Sequence, residues 1–276
     1  RCKIARLMAH NQHNYDLKEE IRAYWSDRSA TFDDSASHRI EDKYGKPEWQ
    51  HFLRQAAGLS AIDDLEGCKV LDLACGTGEI SRILCSLGAE VTGLDFSDDM
   101  LSIAKTKLAC ENWQPLVCDA EHLVPLSDNS FDLLTTRHLA WTLTDPQKAF
   151  AEWFRVLKPG GRLLVNDGNW GQPFSRSYRL RRWLAQMMQK DQPRSTQDQT
   201  NDASIRKRLP YAGGLTESRL IKDVTAQGLT LVGRLDLKPL YSQGMRALPI
   251  ATRLRQSSEN RFAVVFEKVV DKNQRA

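Results

Sequence analysis

The residues best able to do chemistry stand together in Asp72-Leu73-Ala74-Cys75-Gly76-Thr77-Gly78, a short segment that carries two glycines one residue apart. Glycine lets a backbone turn sharply and lets a ligand lie against it. A helix opening directly after such a turn offers unsatisfied N–H groups, which favour a carboxylate or a phosphate. The position of a third glycine, which a dinucleotide loop needs, holds Ser81, and no GKS or GKT sequence of a P-loop follows. That argues against a nicotinamide dehydrogenase. Asp95 closes the next apolar run, and an ionised carboxylate there accepts hydrogen bonds from both hydroxyls of a ribose. Together the two features point to a ligand with a ribose and without a pyrophosphate.

These residues need particular elements to hold them. Cys68 to Ala74 reads as a buried parallel strand, and Glu79 to Leu87 as a helix stopped by Gly88. Glu90 to Asp95 is the next strand, followed by a helix that Ser97 or Asp98 caps. Pro115 to Cys118 and Phe131 to Thr136 are further strands, Pro146 to Leu157 is an amphipathic helix, and Gly161 to Asp167 a fifth strand. This rhythm builds βαβ units and a parallel sheet whose carboxyl edge receives ligands. Before it, helices from Leu17 to Arg28 and from Pro47 to Gly58 make residues 1–62 a helical N-terminal cap to the domain of residues 63–276. After it, Phe174 to Lys190 reads as an amphipathic helix and Asp191 to Ser204 as a polar loop, inside an insertion over 169–214. Thr216 to Gln227 returns to helix, and Leu229 to Leu237 and Arg261 to Lys268 are the last strands.

Several motifs in this order resemble the class I S-adenosylmethionine (SAM)-dependent methyltransferases, especially the bacterial group related to the ubiquinone and menaquinone biosynthesis C-methyltransferases. They are VLDLACGTGEISRILCSLGAEVTGLDFSDDML, CDAEHLVPLSDNSFDLLTTRH and RVLKPGGRLLV, within residues 68–168. The resemblance implies a Rossmann-like α/β sheet, mostly parallel with an antiparallel last strand, and helices on both faces. It implies SAM as cofactor and S-adenosylhomocysteine (SAH) as product. Asp72, Ala74, Gly76 and Gly78 are similar to the methionine-binding loop, and Asp95 to the ribose acid. Phe96 and Met100 correspond to apolar contacts with adenine, Asp119 to the acceptor of its amino group, and Ala120 to a nearby backbone donor. Arg137 begins the segment that faces the methionine portion. Tyr24, Trp25 and Arg28 resemble a cap that closes over that end, with Arg28 against the carboxylate.

Methyl transfer asks the protein mainly to align nucleophile, carbon and sulfur, and asks for a base only when the attacking atom must lose a proton. His138, after the fourth strand, is the candidate base because its ordinary pKa lies near neutrality. Asn166 and Asp167 close the fifth strand and could orient a polar acceptor or cap the insertion. Trp141, Trp170 and His38 are candidate walls of the acceptor pocket.

The 276 residues suffice for one large domain, 41 % of them apolar and 27 % charged, with a formal net charge of +4. That charge is modest for a protein that grips nucleic acid through phosphates. Basic clusters at Arg179, Arg181 and Arg182 and at Arg206, Lys207 and Arg208 read as solvated helix faces; an RNA or protein methyltransferase using them is the alternative, as is a non-catalytic SAM-binding protein. The six cysteines, Cys2, Cys68, Cys75, Cys85, Cys110 and Cys118, form no CxxC pair and fit buried thiols in a reducing cytoplasm better than disulfides or a metal site. No run reads as a signal peptide or membrane span. The expectation is a SAM-dependent methyltransferase acting on a small molecule.

Overall fold

The structure is a computed structural model and describes residues 2–60, 62–108, 112–169, 179–180, 183–184, 187–188, 203–256 and 260–269. Seven strands form its sheet: β1 (Lys69–Leu73), β2 (Glu90–Asp95), β3 (Trp113–Val117), β4 (Phe131–Arg137), β5 (Leu157–Gly168), β6 (Thr230–Arg234) and β7 (Arg261–Glu267). Their order is β3-β2-β1-β4-β5-β7-β6. The first five run parallel, and β7 is antiparallel to both its neighbours. This is the mostly parallel Rossmann-like sheet with an antiparallel last strand.

Eight helices have defined ends: α1 (Cys2–Arg28), α2 (Gly45–Ala57), α3 (Glu79–Cys85), α4 (Asp98–Lys107), α5 (Pro146–Val156), α6 (Glu217–Thr225), α7 (Lys238–Ser242) and α8 (Ile250–Gln256). Their starts follow local chemistry. Ser97 caps α4 by accepting from the Met100 amide, Asp145 caps α5 ahead of Pro146, and Thr216 caps α6. α1 begins well before the expected Leu17, and α7 and α8 fall where only chain between strands was expected. β5 starts at Leu157, earlier than Gly161, because Leu157 pairs with Phe131 before the ladder shifts. Most of the expected helix from Phe174 to Lys190 and of the polar stretch after it lies outside the described residues.

Strand side chains alternate between two faces. One face presents Val70, Leu133, Leu164 and Val265 to Phe52 and Leu53 of α2 and Ile83 and Leu84 of α3. The other presents Leu71, Leu134, Leu163 and Phe266 to Phe150 and Trp153 of α5 and Leu220 and Val224 of α6. A third, smaller cluster roofs the carboxyl edge, where Leu17 and Ile21 of α1 meet Ile205 and Leu209. Among the described residues no helix is long and apolar enough to cross a membrane.

Trp153 links this core to the site, since its buried indole N–H donates to the carbonyl of Ala120 at 2.8 Å. Trp153→Ala is expected to cost about 3–5 kcal/mol of unfolding free energy in urea titration. A cost under about 1 kcal/mol would mean that the face around α5 is not packed as described.

Candidate functional site

The glycine turn closes over the ends of β1 and β2, which run in register from Lys69↔Glu90 to Leu73↔Leu94. Ala74, Gly76 and Gly78 all take positive φ (54°, 56° and 83°). This winding aims the Gly76 amide at Asp95, to which it donates at 2.9 Å, while the Ser97 amide donates to the other oxygen at 2.9 Å. Burial pushes the Asp95 pKa up to about 6 against the pull of these amides. Asp72, also buried, accepts from the Ser81 hydroxyl at 2.7 Å and is pushed up to about 7 by burial. Ser81 thus occupies the third-glycine position with a structural task of its own. A Cβ at Gly76 would meet nothing nearer than Phe32 at 3.8 Å, so the turn's backbone faces open space. Gly78 instead packs tightly, for a Cβ there would come within 2.6 Å of Leu108.

That open space is a cavity of about 480 Å³, a size suited to a cofactor-scale ligand. Of the residues expected to hold SAM, Asp72, Ala74, Gly76, Asp95, Phe96, Met100 and Arg137 line it from the sheet side, and Tyr24, Trp25 and Arg28 from α1. His38, His138 and Trp141 line it as well. Asp119 and Ala120 line a neighbouring cavity of about 40 Å³, which shares Ala74 and Phe96 with the larger one. Lys18 spans the mouth of this smaller space, 2.5 Å from Asp119 and 2.8 Å from Glu121. Gly78 caps α3 and does not face the large cavity. Asn166 and Asp167 are not among its walls. The Asp167 carboxylate accepts from the amides of Trp141 (3.2 Å) and Gly168 (2.7 Å), bracing the loop after β4. Trp170 lies outside the described residues.

Polar links pin the cap over the turn. Asp33 accepts from the Thr77 hydroxyl at 2.7 Å and pairs with Lys107. Ser26 and Ser97 share a hydroxyl hydrogen bond of 2.8 Å, and Arg137 donates to the carbonyls of Ser37 and His38. Rings continue from cap to strand: Trp25 lies edge-on to Phe32, Phe32 stacks on His38 with centroids 3.9 Å apart, and His38 meets His138 edge-on at 6.4 Å. His138 has a left-handed backbone (φ 64°). Burial, then the charges of Arg137 and Arg261, hold its pKa well below the usual imidazole value, so the ring is neutral at pH 7.

Several site residues escape a reading of the sequence. Arg261 and Arg206 line the large cavity, and Arg206 lies over the Trp141 ring at 4.7 Å. The cluster 206–208 is therefore not a single solvated face, since Arg208 pairs with Glu20 at 2.5 Å and Arg206 turns to the site. Arg261 could have been found, because the first residue of an antiparallel last strand must stand at the ligand edge. Nothing local marks Lys18.

Residues 71–165 match the model of a family described as a methyltransferase domain. Over 123 residues the chain is 42 % identical to a ubiquinone/menaquinone biosynthesis C-methyltransferase of Desulfotalea psychrophila, which covers 43 % of this chain and 47 % of that protein. Over 114 residues it is 39 % identical to a demethylmenaquinone methyltransferase of Clavibacter sepedonicus, covering 41 % and 46 %. The chain thus spans about half the length of the curated relatives it matches. Among solved structures, a SAM-dependent methyltransferase of Aquifex aeolicus shares the fold with a TM-score of 0.52 at 18 % identity, over 83 % of this chain and 94 % of that one. The chain carries a class I SAM-dependent methyltransferase domain. Within that class, the domain is related to the ubiquinone/menaquinone C-methyltransferases.

Because the Asp33 links tie the cap to the turn, Asp33→Ala should loosen the segment of residues 29–40 without unfolding the sheet. Hydrogen exchange followed by mass spectrometry is expected to speed up there and stay unchanged in β1, β4 and β5. Unchanged exchange over 29–40 would show that the links do not hold the cap.

Proposed function

We propose that the protein transfers the methyl group of SAM to a small-molecule acceptor, leaving SAH. The observation that carries this reading is the Gly76–Asp95 pair opening on a cleft of about 480 Å³ partly covered by α1. When bound, the cofactor supplies an electrophilic methyl carbon on a sulfonium. The buried Asp95 carboxylate accepts from the ribose hydroxyls, and the open backbone at Gly76 lets the ligand lie close. Phe96 and Met100 offer apolar contacts to adenine. Asp119 takes its amino group and Ala120 a ring nitrogen, while Lys18 keeps its second partner, Glu121. Tyr24, Trp25 and Arg28 cover the methionine end, where Arg28, which donates to the Tyr24 hydroxyl at 2.9 Å, meets the carboxylate. Asp72 sits on the same side of the cavity, where its ionised form suits an ammonium group.

The roof excludes water, and the aromatic faces of Trp25, Phe32 and Trp141 suit a sulfonium. His138, neutral at pH 7, is the base in this reading, a weak one because burial and the charges of Arg137 and Arg261 disfavour its protonated form. His38 and Trp141 wall the acceptor, and Asn166 and Asp167 orient the loops around it. A cleft of about 480 Å³ suits a cofactor with a small acceptor, and the split basic cluster 206–208 offers no continuous surface for a polyanion. Thiols at Cys68, Cys75, Cys85 and Cys118 fit work in a reducing compartment such as the cytoplasm.

Calorimetric titration with SAH tests the cofactor assignment. Asp95→Ala is expected to abolish binding. The wild-type affinity should fall as pH drops through about 6, because Asp95 then gains the proton its burial favours and loses an acceptor site. Affinity that stays flat between pH 8 and pH 5, or survives the substitution, would contradict the ribose role.

For the base, His138→Asn is the cleaner variant, since asparagine tolerates the left-handed backbone. Its kcat is expected to fall by about 10²-fold or more, with SAH affinity unchanged. Turnover equal to wild type would remove His138 from the proton transfer. A protein that binds SAH tightly yet methylates nothing in a metabolite extract would be a non-catalytic SAM-binding protein instead.

A further inference from the structure

Asp119 and Ala120, which face adenine in the reading proposed above, stand in a side slot of about 40 Å³ whose walls include Leu94, Phe96 and Leu139. Apolar walls and an acid suit a flat base that donates from an amino group. A space of that size holds about one or two waters, far less than a bicyclic purine. At its mouth stands Lys18 of α1, whose ammonium lies 2.5 Å from Asp119 and 2.8 Å from Glu121.

The two carboxylates hold Lys18 on different terms. Glu121 is buried and also accepts from the amides of Thr144 (2.5 Å) and Asp145 (3.1 Å) and from the Thr144 hydroxyl (2.9 Å). The loop before α5 therefore fixes it whether or not Lys18 is there. The Asp119 side chain is 33 % exposed. Its Oδ1 accepts from the Glu121 amide at 2.9 Å, and its Oδ2 is the oxygen that meets Lys18. An amino group entering the slot and the Lys18 ammonium thus compete for the same atom. Lys18 also shares a stripe of α1 with Ile21, Trp25 and Arg28, which follow at helical spacing. The stripe that blocks the slot therefore continues into the cover of the large cavity, which Trp25 and Arg28 line.

We propose that Lys18 is an autoinhibitory latch on the adenine subsite: it holds Oδ2 of Asp119 until adenine arrives, then retires to Glu121 alone. The amino group of adenine takes over the released oxygen, and the ammonium keeps a carboxylate, so no charge is left buried without a partner. Such a latch lowers the apparent affinity for the cofactor by the fraction of molecules in which the slot is open. It also filters ligands. Only one that gives Asp119 a donor in return offsets the lost ion pair, which an amino-bearing base does and a plain apolar ring does not. This inference rests on the methyltransferase reading and on Asp119 as acceptor of the adenine amino group.

The test is calorimetric titration of the full chain with SAH and with adenosine, which carries the base and ribose alone. Lys18→Met keeps the apolar stem of the side chain and leaves both carboxylates their amide donors. It is expected to bind SAH about threefold or more tighter than wild type, and adenosine should gain by the same factor. Glu121→Gln removes the seat to which Lys18 retires, so SAH should bind about threefold or more weakly, and adding Lys18→Met to it should reverse that loss. A merely structural ion pair would instead weaken binding in both single variants. If Lys18→Met leaves SAH affinity unchanged or lower, if adenosine does not share the gain, or if Glu121→Gln binds as well as wild type, the latch is wrong and the methyltransferase reading stands. Glu121→Gln decides the matter if Lys18→Met fails to fold. If neither wild type nor Lys18→Met binds SAH, that reading falls, and the latch with it.

Discussion

Two carboxyl groups, Asp72 and Asp95, are buried at the ends of adjacent parallel strands, and taking such groups out of water is expensive unless donors meet them. The donors are the Ser81 hydroxyl and the amides of Gly76 and Ser97. To aim the Gly76 amide at Asp95, the chain winds through positive φ at Ala74, Gly76 and Gly78. To bring Ser97 round, it breaks the strand and starts α4 at once, with Ser97 capping the helix through its own side chain. The register between β1 and β2 sets the height at which turn and acid meet. A one-residue slip would turn Asp72 or Asp95 to the opposite face, so the ladder, the turn and the cap of α4 stand or fall together.

The roof obeys a different constraint. Its apolar cluster is small, Leu17 and Ile21 against Ile205 and Leu209, whereas each sheet face buries a far larger set. Directional links do the rest, through Asp33 to Thr77 and Lys107, Ser26 to Ser97, and Arg137 to the carbonyls of Ser37 and His38. Partly exposed polar links are individually weak. A cover held this way keeps its place over the cavity yet opens at lower cost than the sheet beneath, as loading and release of a large cofactor require. Lys18 adds to this: its ammonium pairs with Asp119 in the smaller cavity while Glu121 offers it a second anchor.

The sheet and the cofactor turn were legible because they rest on local rules. Apolar runs located β1, β2 and β4 to within a residue or so, and of the two expected caps, Ser97 and Asp98, the first is the one found. What escaped rests on contacts between distant parts of the chain. Arg206 sits in a run of basic residues that reads as solvated, yet it lies over the ring of Trp141, distant in sequence. Lys18 is one cation on a helix until Asp119 and Glu121 come to it. α7 and α8 are too short to establish a helical period. Asn166 and Asp167 are neighbours in sequence, and the alternation of β5 sends them to opposite faces, one toward the α2 side and one toward the loop before α5.

The direction of β7 has a consequence for chemistry as well as for topology. In a parallel strand the first residue stands at the edge opposite the ligand, so Arg261 at the start of β7 would have been carried away from the cavity. Running antiparallel to β5, β7 delivers it beside Gly168, two register positions from Asn166 and facing Tyr241 of α7. The parallel half of the sheet thus contributes the acids and the glycine turn, and the antiparallel half contributes a guanidinium. Reversing one strand therefore brings Arg261 to the edge where Asp72, Asp95 and Arg137 of the parallel strands stand, and all four line one cavity.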